Sequence, residues 1–143
     1  HVYYKGNTLV KSIGLDYYIL PILALDRISL HNAYFPETRL KVLGFGRTNE
    51  GAFQVIVEQA HIQGEQMADE EIQQFAEKIG FKLRNPRNWT YTTPEIYLSD
   101  LHDENVIKSA NGNVFVIDCD IRLNTPDLKL DGIRELTTEV EFI

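Results

Sequence analysis

Residues 99–118 read SDLHDENVIKSANGNVFVID, and both a local fold and a chemical function can be argued from them. Two β-prone runs, around Ile107 and Phe115, flank the turn sequence ANG, so this part of the chain predicts a tight β-hairpin. Three small oxygen-bearing side chains punctuate the stretch: Asp100, Asn105 and Asp118. The loop between the first two can fold back on itself, and a tight hairpin returns its end close to its beginning. The three side chains are therefore predicted to meet at one edge of a small sheet.

Two interpretations of these side chains stay open at the level of residue types. Asp and Asn are the commonest turn residues, so the stretch could serve only to shape loops. Alternatively, the group suits phosphoryl transfer, which needs a carboxylate to orient or deprotonate the attacking hydroxyl and hard oxygen ligands for Mg²⁺. In that hypothesis Asp100 is the catalytic base, and Asn105 and Asp118 are the metal ligands.

The composition restricts the class of protein. A chain of 143 residues with 43% hydrophobic and 24% charged residues predicts one ordinary globular domain, residues 1–143. The formal net charge of -7 argues against direct binding of duplex DNA, whereas a nucleotide held through a divalent cation is compatible with it. No apolar run approaches the ~18 residues of a membrane span, so we expect no membrane partner.

Cysteine usage points to a compartment. The chain has one cysteine, Cys119, which excludes an internal disulfide and a cysteine-based zinc site. We predict that it packs as a small hydrophobe beside Ile117, and that the protein resides in a reducing, cytoplasmic compartment.

The other segments predict an α+β domain, because strands occur in groups and do not alternate regularly with helices. One hairpin is predicted around Gly6-Asn7 in VYYKGNTLVKS. A second is predicted from RLKVLGFG and AFQVIVEQ, with the latter strand covered on both faces for much of its length. A helix is predicted from about Pro21 to about Ala33, where FPET ends it.

The clearest helix is MADEEIQQFAEKIG, which ends at Gly80. Its predicted apolar face has helical spacing and comprises Ile72, Phe75, Ala76 and Ile79. The following FKLRNPRNWTYTTPE predicts a loop with one short strand at WTYT, before another strand around Tyr97. In the tail, Pro126 and Gly132 predict turns, with a short helix or strand near the end.

The opening stretch resembles the catalytic segment of the protein-kinase superfamily. In that family an aspartate is followed five residues later by an asparagine, and then by a hairpin that ends in a metal-binding aspartate. The form D-L-H-x-x-N-V looks most like the aminoglycoside- and small-molecule-phosphotransferase branches. The wider chain, including LDRISLHNAYFPE and WTYTTPEIYLSDLHDENV, is similar to the kinase-like domain of bacterial polyvalent proteins, which are multi-domain products of phages and conjugative elements. Nearly the whole chain is covered by this resemblance.

The resemblance implies a reduced protein-kinase-like fold of the α+β class. Its small N-terminal β-rich lobe and hinge strand would occupy residues 1–59, and its minimal C-terminal lobe residues 60–143. ATP and Mg²⁺ would be the cofactors, and a phosphoryl group would pass to an unknown acceptor. Other domains of a larger polypeptide are implied as further partners.

The resemblance also assigns residues in the N-terminal part. Lys11, with Lys5 second, matches the lysine that pairs with the nucleotide phosphates, although a surface lysine on an edge strand is an equal alternative. Asp26 could substitute for the acidic partner of that lysine. The backbone of Glu58, Gln59 and Ala60 would lie near the adenine ring.

Several departures from the family pattern keep a second function open. No G-x-G-x-x-G loop precedes Lys11, Leu98 stands where the family commonly has histidine, and DCD replaces D-F-G. Asp120, the second acid of DCD, is either an extra metal neighbour or a strand-end carboxylate in solvent. Only 23 residues follow Asp120, which implies a reduced or degenerate kinase fold. The alternative function is a pseudokinase-like interaction module with a vestigial nucleotide site.

Overall fold

The computed structural model describes residues 2–17 and 21–124. The chain divides into two compact units, with the boundary between His61 and Ile62. The described residues contain two α-helices and three antiparallel sheets, which confirms the α+β class. The predictions for Pro126 and Gly132 lie outside the described residues. In the part of the chain that is described, no helix is long and apolar enough to cross a membrane.

The first unit is built on a four-stranded antiparallel sheet in the order β1-β2-β4-β3. Its elements are β1 (Val2–Lys5), β2 (Thr8–Gly14), α1 (Ile22–Tyr34), β3 (Lys41–Arg47) and β4 (Phe53–Ala60). Short 3-10 helices at Leu15–Tyr17 and Pro36–Thr38 flank α1. Both predicted hairpins and the first predicted helix are confirmed, and β2 and β4 are the inner strands.

Helix α1 ends where the sequence requires it to end. The Phe35 backbone N–H still donates to the His31 carbonyl at 2.7 Å, but Pro36 has no N–H with which to continue the pattern. The helix contributes Leu25 and Ile28 to a core cluster shared with the sheet valines. Burial of one such side chain stabilises the fold by about 1.5–3 kcal/mol.

Strand β4 is the central element of that core. Val55 and Val57 are completely buried on one face, whereas Gln54 and Ile56 on the other face are half-buried. The prediction that this strand is covered on both faces is therefore correct for the helix-facing side and partly correct for the other.

The second unit contains a three-stranded sheet in the order β10-β9-β5 and a four-stranded sheet in the order β11-β8-β7-β6. Its elements are β5 (Glu65–Gln66), α2 (Asp69–Lys78), β6 (Lys82–Asn85), β7 (Thr90–Thr92), β8 (Ile96–Ser99), β9 (Val106–Lys108), β10 (Val114–Val116) and β11 (Asp120–Leu123). The predicted strands around Tyr97, Ile107 and Phe115 are confirmed, as is the hairpin that joins β9 to β10.

Helix α2 ends in a Schellman motif. Gly80 adopts a positive φ of 98°, its N–H donates to the Glu77 carbonyl at 3.1 Å, and the Phe81 N–H donates to the Ala76 carbonyl at 2.9 Å. The predicted stop at Gly80 is thus confirmed. Ile79 is an exception to the predicted apolar face, because it lies past the last helical residue and is 44% exposed.

Two sequence predictions in this unit were wrong, the first of them only in part. The strand predicted at WTYT is present as β7, but the region before it is not all loop, because β6 pairs with β7 in a hairpin in which Leu83 lies opposite Tyr91. The run NVFVIDCDIRL is not one strand either, because it divides into β10 and β11, which belong to different sheets. Between them Cys119 is buried, as predicted.

Candidate functional site

Asp100 follows β8 directly and takes a strained backbone conformation. Its φ is +59°, in the left-handed region that aspartate tolerates better than most side chains. The N–H groups of Asp100 and Leu101 donate to the carbonyls of Asn88 and Trp89, both at 3.4 Å. Trp89 itself has a positive φ of 49°. The end of β8 is thus tied to the β6–β7 turn, and the chain reverses there while the Asp100 side chain stays exposed.

Asn105 closes the loop that begins at Asp100. Its side-chain amide Nδ2 donates to the Asp100 carbonyl at 2.8 Å, and its backbone N–H donates to the His102 carbonyl at 2.9 Å. The same Nδ2 lies 3.2 Å from His102 Nε2, and the His102 ring packs edge-on against Trp89, with the ring centroids 5.2 Å apart. His102 is therefore a loop-packing and hydrogen-bonding residue.

Asp118 is brought to this loop through the backbone of its neighbour. The N–H of Ile117 donates to the Asn105 carbonyl at 2.9 Å, just past the end of β10. Asp118 is the next residue and is exposed. These hydrogen bonds thus bring together the backbones of Asp100, Asn105 and Ile117, the residue before Asp118, at the open end of the β9–β10 hairpin.

The donor set suits a hard cation only if Asn105 takes part. Across residues 2–17 and 21–124, no group of three or more His, Cys, Asp or Glu side chains is arranged to hold a metal ion. Because Nδ2 of Asn105 is bonded to the Asp100 carbonyl, its oxygen Oδ1 is the atom that a cation would use. Proteins usually supply only one or two ligands to Mg²⁺, because the ion keeps several water molecules and binds phosphate oxygens. Asn105 and Asp118 match that number.

Asp120 does not belong to this set. Both of its carboxylate oxygens accept hydrogen bonds from Arg122, at 3.0 Å from Nε and 2.8 Å from Nη2. This forked pairing on one strand occupies the carboxylate. Asp120 is therefore a partly buried acid with an arginine partner.

Lys11 lies in the first unit and is half-buried. It is on β2, an inner strand, which excludes the alternative of a surface lysine on an edge strand. Its Nζ donates to Oε1 of Gln59. Lys5, the second choice, lies on β1, the edge strand, and is exposed.

The residues assigned to the adenine ring belong to β4 as paired strand residues. Glu58, Gln59 and Ala60 lie opposite Val10, Leu9 and Thr8 of β2. Their contact with adenine stays a prediction. Sequence reasoning used only their backbone and missed the side chain of Gln59, which is 1% exposed. The alternation of Val55 and Val57 was the signal that could have found it, since Gln59 continues that buried face.

The predicted pairing of Lys11 with Asp26 was wrong. Asp26 is on α1 and is only 6% exposed, and neither of its carboxylate oxygens has a hydrogen-bond partner. Burial raises the pKa of this carboxyl group above its usual value.

Comparison with known proteins places the chain in a class. The family model for a serine/threonine/tyrosine kinase found in polyvalent proteins matches residues 1–125. The chain therefore belongs to this family of kinase domains, which confirms the resemblance stated from its motifs. No curated protein and no solved structure matches the chain.

Proposed function

We propose that this domain is an ATP- and Mg²⁺-dependent phosphotransferase that transfers the γ-phosphoryl group to a hydroxyl of an acceptor. Membership of the polyvalent-protein kinase family supports the class of reaction. The observation that carries the proposal is a pair of hydrogen bonds made by Asn105. Its side chain binds the backbone of Asp100, and its backbone binds the residue before Asp118.

Asp100 is the catalytic base in this proposal. Its exposed carboxylate accepts the proton of the acceptor hydroxyl while the acceptor oxygen bonds to the γ-phosphorus. The bond between that phosphorus and the bridging oxygen breaks, and ADP leaves with the electron pair. The strained φ of Asp100 supports the assignment, because strained non-glycine residues cluster at functional sites.

Asn105, through Oδ1, and Asp118 would hold Mg²⁺. When bound, the ion neutralises negative charge on the phosphates. The role of the chain is to fix the amide orientation of Asn105, and the bond from Nδ2 to the Asp100 carbonyl does so. A carboxylate at position 118 adds the charge that an amide alone lacks.

The first unit would supply the phosphate clamp. Protein kinases carry the clamp lysine on a strand, and a helix with an acidic residue follows. Here Lys11 is on β2 and α1 follows it. This order supports a reduced kinase-like fold with its N-terminal lobe at residues 1–59 and a minimal C-terminal lobe at 60–143. The backbone of residues 58–60 would contact the adenine.

Isothermal titration of ATP, with and without Mg²⁺, tests the proposal. We expect binding that depends on Mg²⁺ and that Asp118→Ala abolishes. The matched control is Asp103→Ala, because Asp103 is an exposed acid of the same loop with no assigned role. Circular dichroism establishes that each variant is folded. Equal ATP affinity in wild type and Asp118→Ala would contradict the metal assignment.

The competing function is an interaction module with a vestigial nucleotide site. Leu98, which is completely buried where the family commonly has histidine, favours it. A wild-type protein that binds no ATP and forms a stable complex with a neighbouring domain would establish it. In either case we place the domain in the bacterial cytoplasm, as part of a larger polypeptide of a mobile element, and the presence of a single cysteine, Cys119, supports a reducing compartment.

A further inference from the structure

Gln59 connects the proposed phosphate clamp to the buried interior of the first unit. It is 1% exposed, so both polar atoms of its amide need partners inside the protein. Its Oε1 accepts a hydrogen bond from Lys11 Nζ, and its Nε2 donates to the Thr38 carbonyl at 2.7 Å. The amide is thus bonded on both sides.

The orientation of this amide follows from its partners. The Thr38 carbonyl can only accept hydrogen bonds, so the nitrogen of the amide must face it and the oxygen must face Lys11. Thr38 is itself 1% exposed, and His31 Nε2 lies 3.0 Å from its carbonyl and 3.1 Å from its hydroxyl. Gln59 is therefore held by a buried polar network that allows one arrangement.

A neutral amide has a particular effect on a lysine. It fixes the position of the ammonium group and adds no negative charge of its own, whereas a carboxylate in its place would add one. The carboxylate of Asp26 makes no hydrogen bond to Lys11 in this structure. A positive charge at a fixed point is what recognition of a polyphosphate requires.

We infer that Gln59 is a positioning residue that holds the Lys11 ammonium group for the phosphates of the nucleotide. This role rests on the proposed ATP-dependent function and goes beyond it, since it gives the side chain of Gln59 a part in polyphosphate recognition, in addition to the adenine contact proposed for its backbone. Gln59 acts on Lys11 and makes no contact with the reacting atoms.

Two substitutions at this position separate the effects of the hydrogen bond and the charge. Gln59→Leu removes both hydrogen bonds at similar volume, and the Thr38 carbonyl still has His31 beside it. Gln59→Glu keeps the shape, but it sets a negative charge beside Lys11 and a second acceptor against Thr38. The matched control is Gln54→Leu, because Gln54 is on the same strand and half-buried on the opposite face.

The test compares ATP with adenosine, each titrated calorimetrically into the folded variants in the presence of Mg²⁺. Gln59→Leu is expected to weaken ATP binding about tenfold, the size of one charge-assisted hydrogen bond, and to leave adenosine binding unchanged. Gln59→Glu is expected to weaken ATP binding further, and Gln54→Leu to change neither. A second readout needs no nucleotide: the ¹H–¹⁵N signal of the Lys11 ammonium group is expected in wild type and in Gln54→Leu, and to be lost in Gln59→Leu.

The outcomes distinguish this inference from the proposed function. If wild type binds ATP and Gln59→Leu binds it equally well, only the role of Gln59 is refuted. If Gln59→Leu weakens ATP and adenosine by the same factor, Gln59 is merely structural and the inference is again refuted. If wild type binds no ATP, the proposed function fails and the role of Gln59 fails with it.

Discussion

The replacement of Asp26 by asparagine is expected to stabilise the first unit at neutral pH. Asp26 is 6% exposed, and neither carboxylate oxygen has a hydrogen-bond partner. Its immediate helix neighbours, Ala24, Leu25 and Ile28, belong to the apolar core. Asparagine keeps the shape of the side chain, removes its ability to carry a charge and replaces one oxygen by an NH2 donor.

The size of the expected change in the free energy of unfolding follows from the burial of Asp26. A buried polar group without a partner costs about 1–3 kcal/mol, and a charged group costs more. Asparagine still leaves an amide without an evident partner, so only the part that belongs to the charge is recovered. We therefore expect the free energy of unfolding to rise by about 1 kcal/mol at pH 7.

The effect has a definite pH dependence. Burial raises the pKa of Asp26 in the folded protein above its usual value of 3.8, so the folded state binds this proton more tightly than the unfolded state. The contribution of Asp26 to stability is therefore largest below pH 3.8 and is lost as the pH rises through the raised pKa. The advantage of Asp26→Asn should accordingly shrink as the pH is lowered.

Urea denaturation followed by circular dichroism at neutral and acidic pH measures this difference. Circular dichroism is needed because the single tryptophan, Trp89, lies in the other unit. The control is Asp16→Asn, which removes an exposed carboxylate of the same unit and is expected to change stability by less than about 0.5 kcal/mol. A destabilised Asp26→Asn at neutral pH, or a difference that does not vary with pH, would refute the reasoning.

Three further predictions concern the second unit. Gly64→Ala should lower the free energy of unfolding by about 1–3 kcal/mol, because the new Cβ would lie 2.3 Å from the Lys108 carbonyl oxygen. The control is Gly44→Ala, whose Cβ would have no atom within 4 Å, and equal losses in the two variants would count against this steric argument. Lys108→Met should raise the pKa of Glu71 toward its usual value, because the hydrogen bond from Lys108 and, to a smaller extent, its positive charge lower that pKa in the wild type. An unchanged titration of the Glu71 carboxyl group, followed by NMR, would contradict this. Asp100→Ala should be less stable than Asp100→Gly by about 1 kcal/mol in urea denaturation, because alanine is disfavoured at a φ of +59°, and the reverse order would be inconsistent with this strain.

The elements that the sequence predicted well are those with local causes. Helix α2 follows from apolar spacing and from Gly80, and α1 follows from Pro21 and Pro36 at its two ends. The β9–β10 hairpin follows from a short turn sequence between β-prone runs. In each case the decisive interactions join residues that are near in the chain.

Strand β6 shows why other elements could not be predicted. Its sequence, KLRN, contains one apolar residue, Leu83, and has no alternation to recognise. It is a strand because β7 pairs with it. The division of NVFVIDCDIRL into two strands has the same origin, since β11 pairs with β8 from a different part of the chain.

For the candidate site, too, some features follow from the local sequence and others only from the folded structure. The sequence by itself identified the family, through the order and spacing of Asp100, Asn105 and Asp118, because a catalytic motif is a local pattern of residue types. It also predicts that the three side chains meet at one edge of a small sheet.

Only the tertiary structure decided the partners of the charged side chains. It joined Lys11 to Gln59 and left Asp26 buried without a hydrogen bond. Hydrogen bonds form between atoms about 3 Å apart, and for residues distant in sequence that separation is set by the packing of helix on sheet and by strand register. Residue type and spacing therefore determined the family, and the folded geometry determined which charged and polar groups are paired.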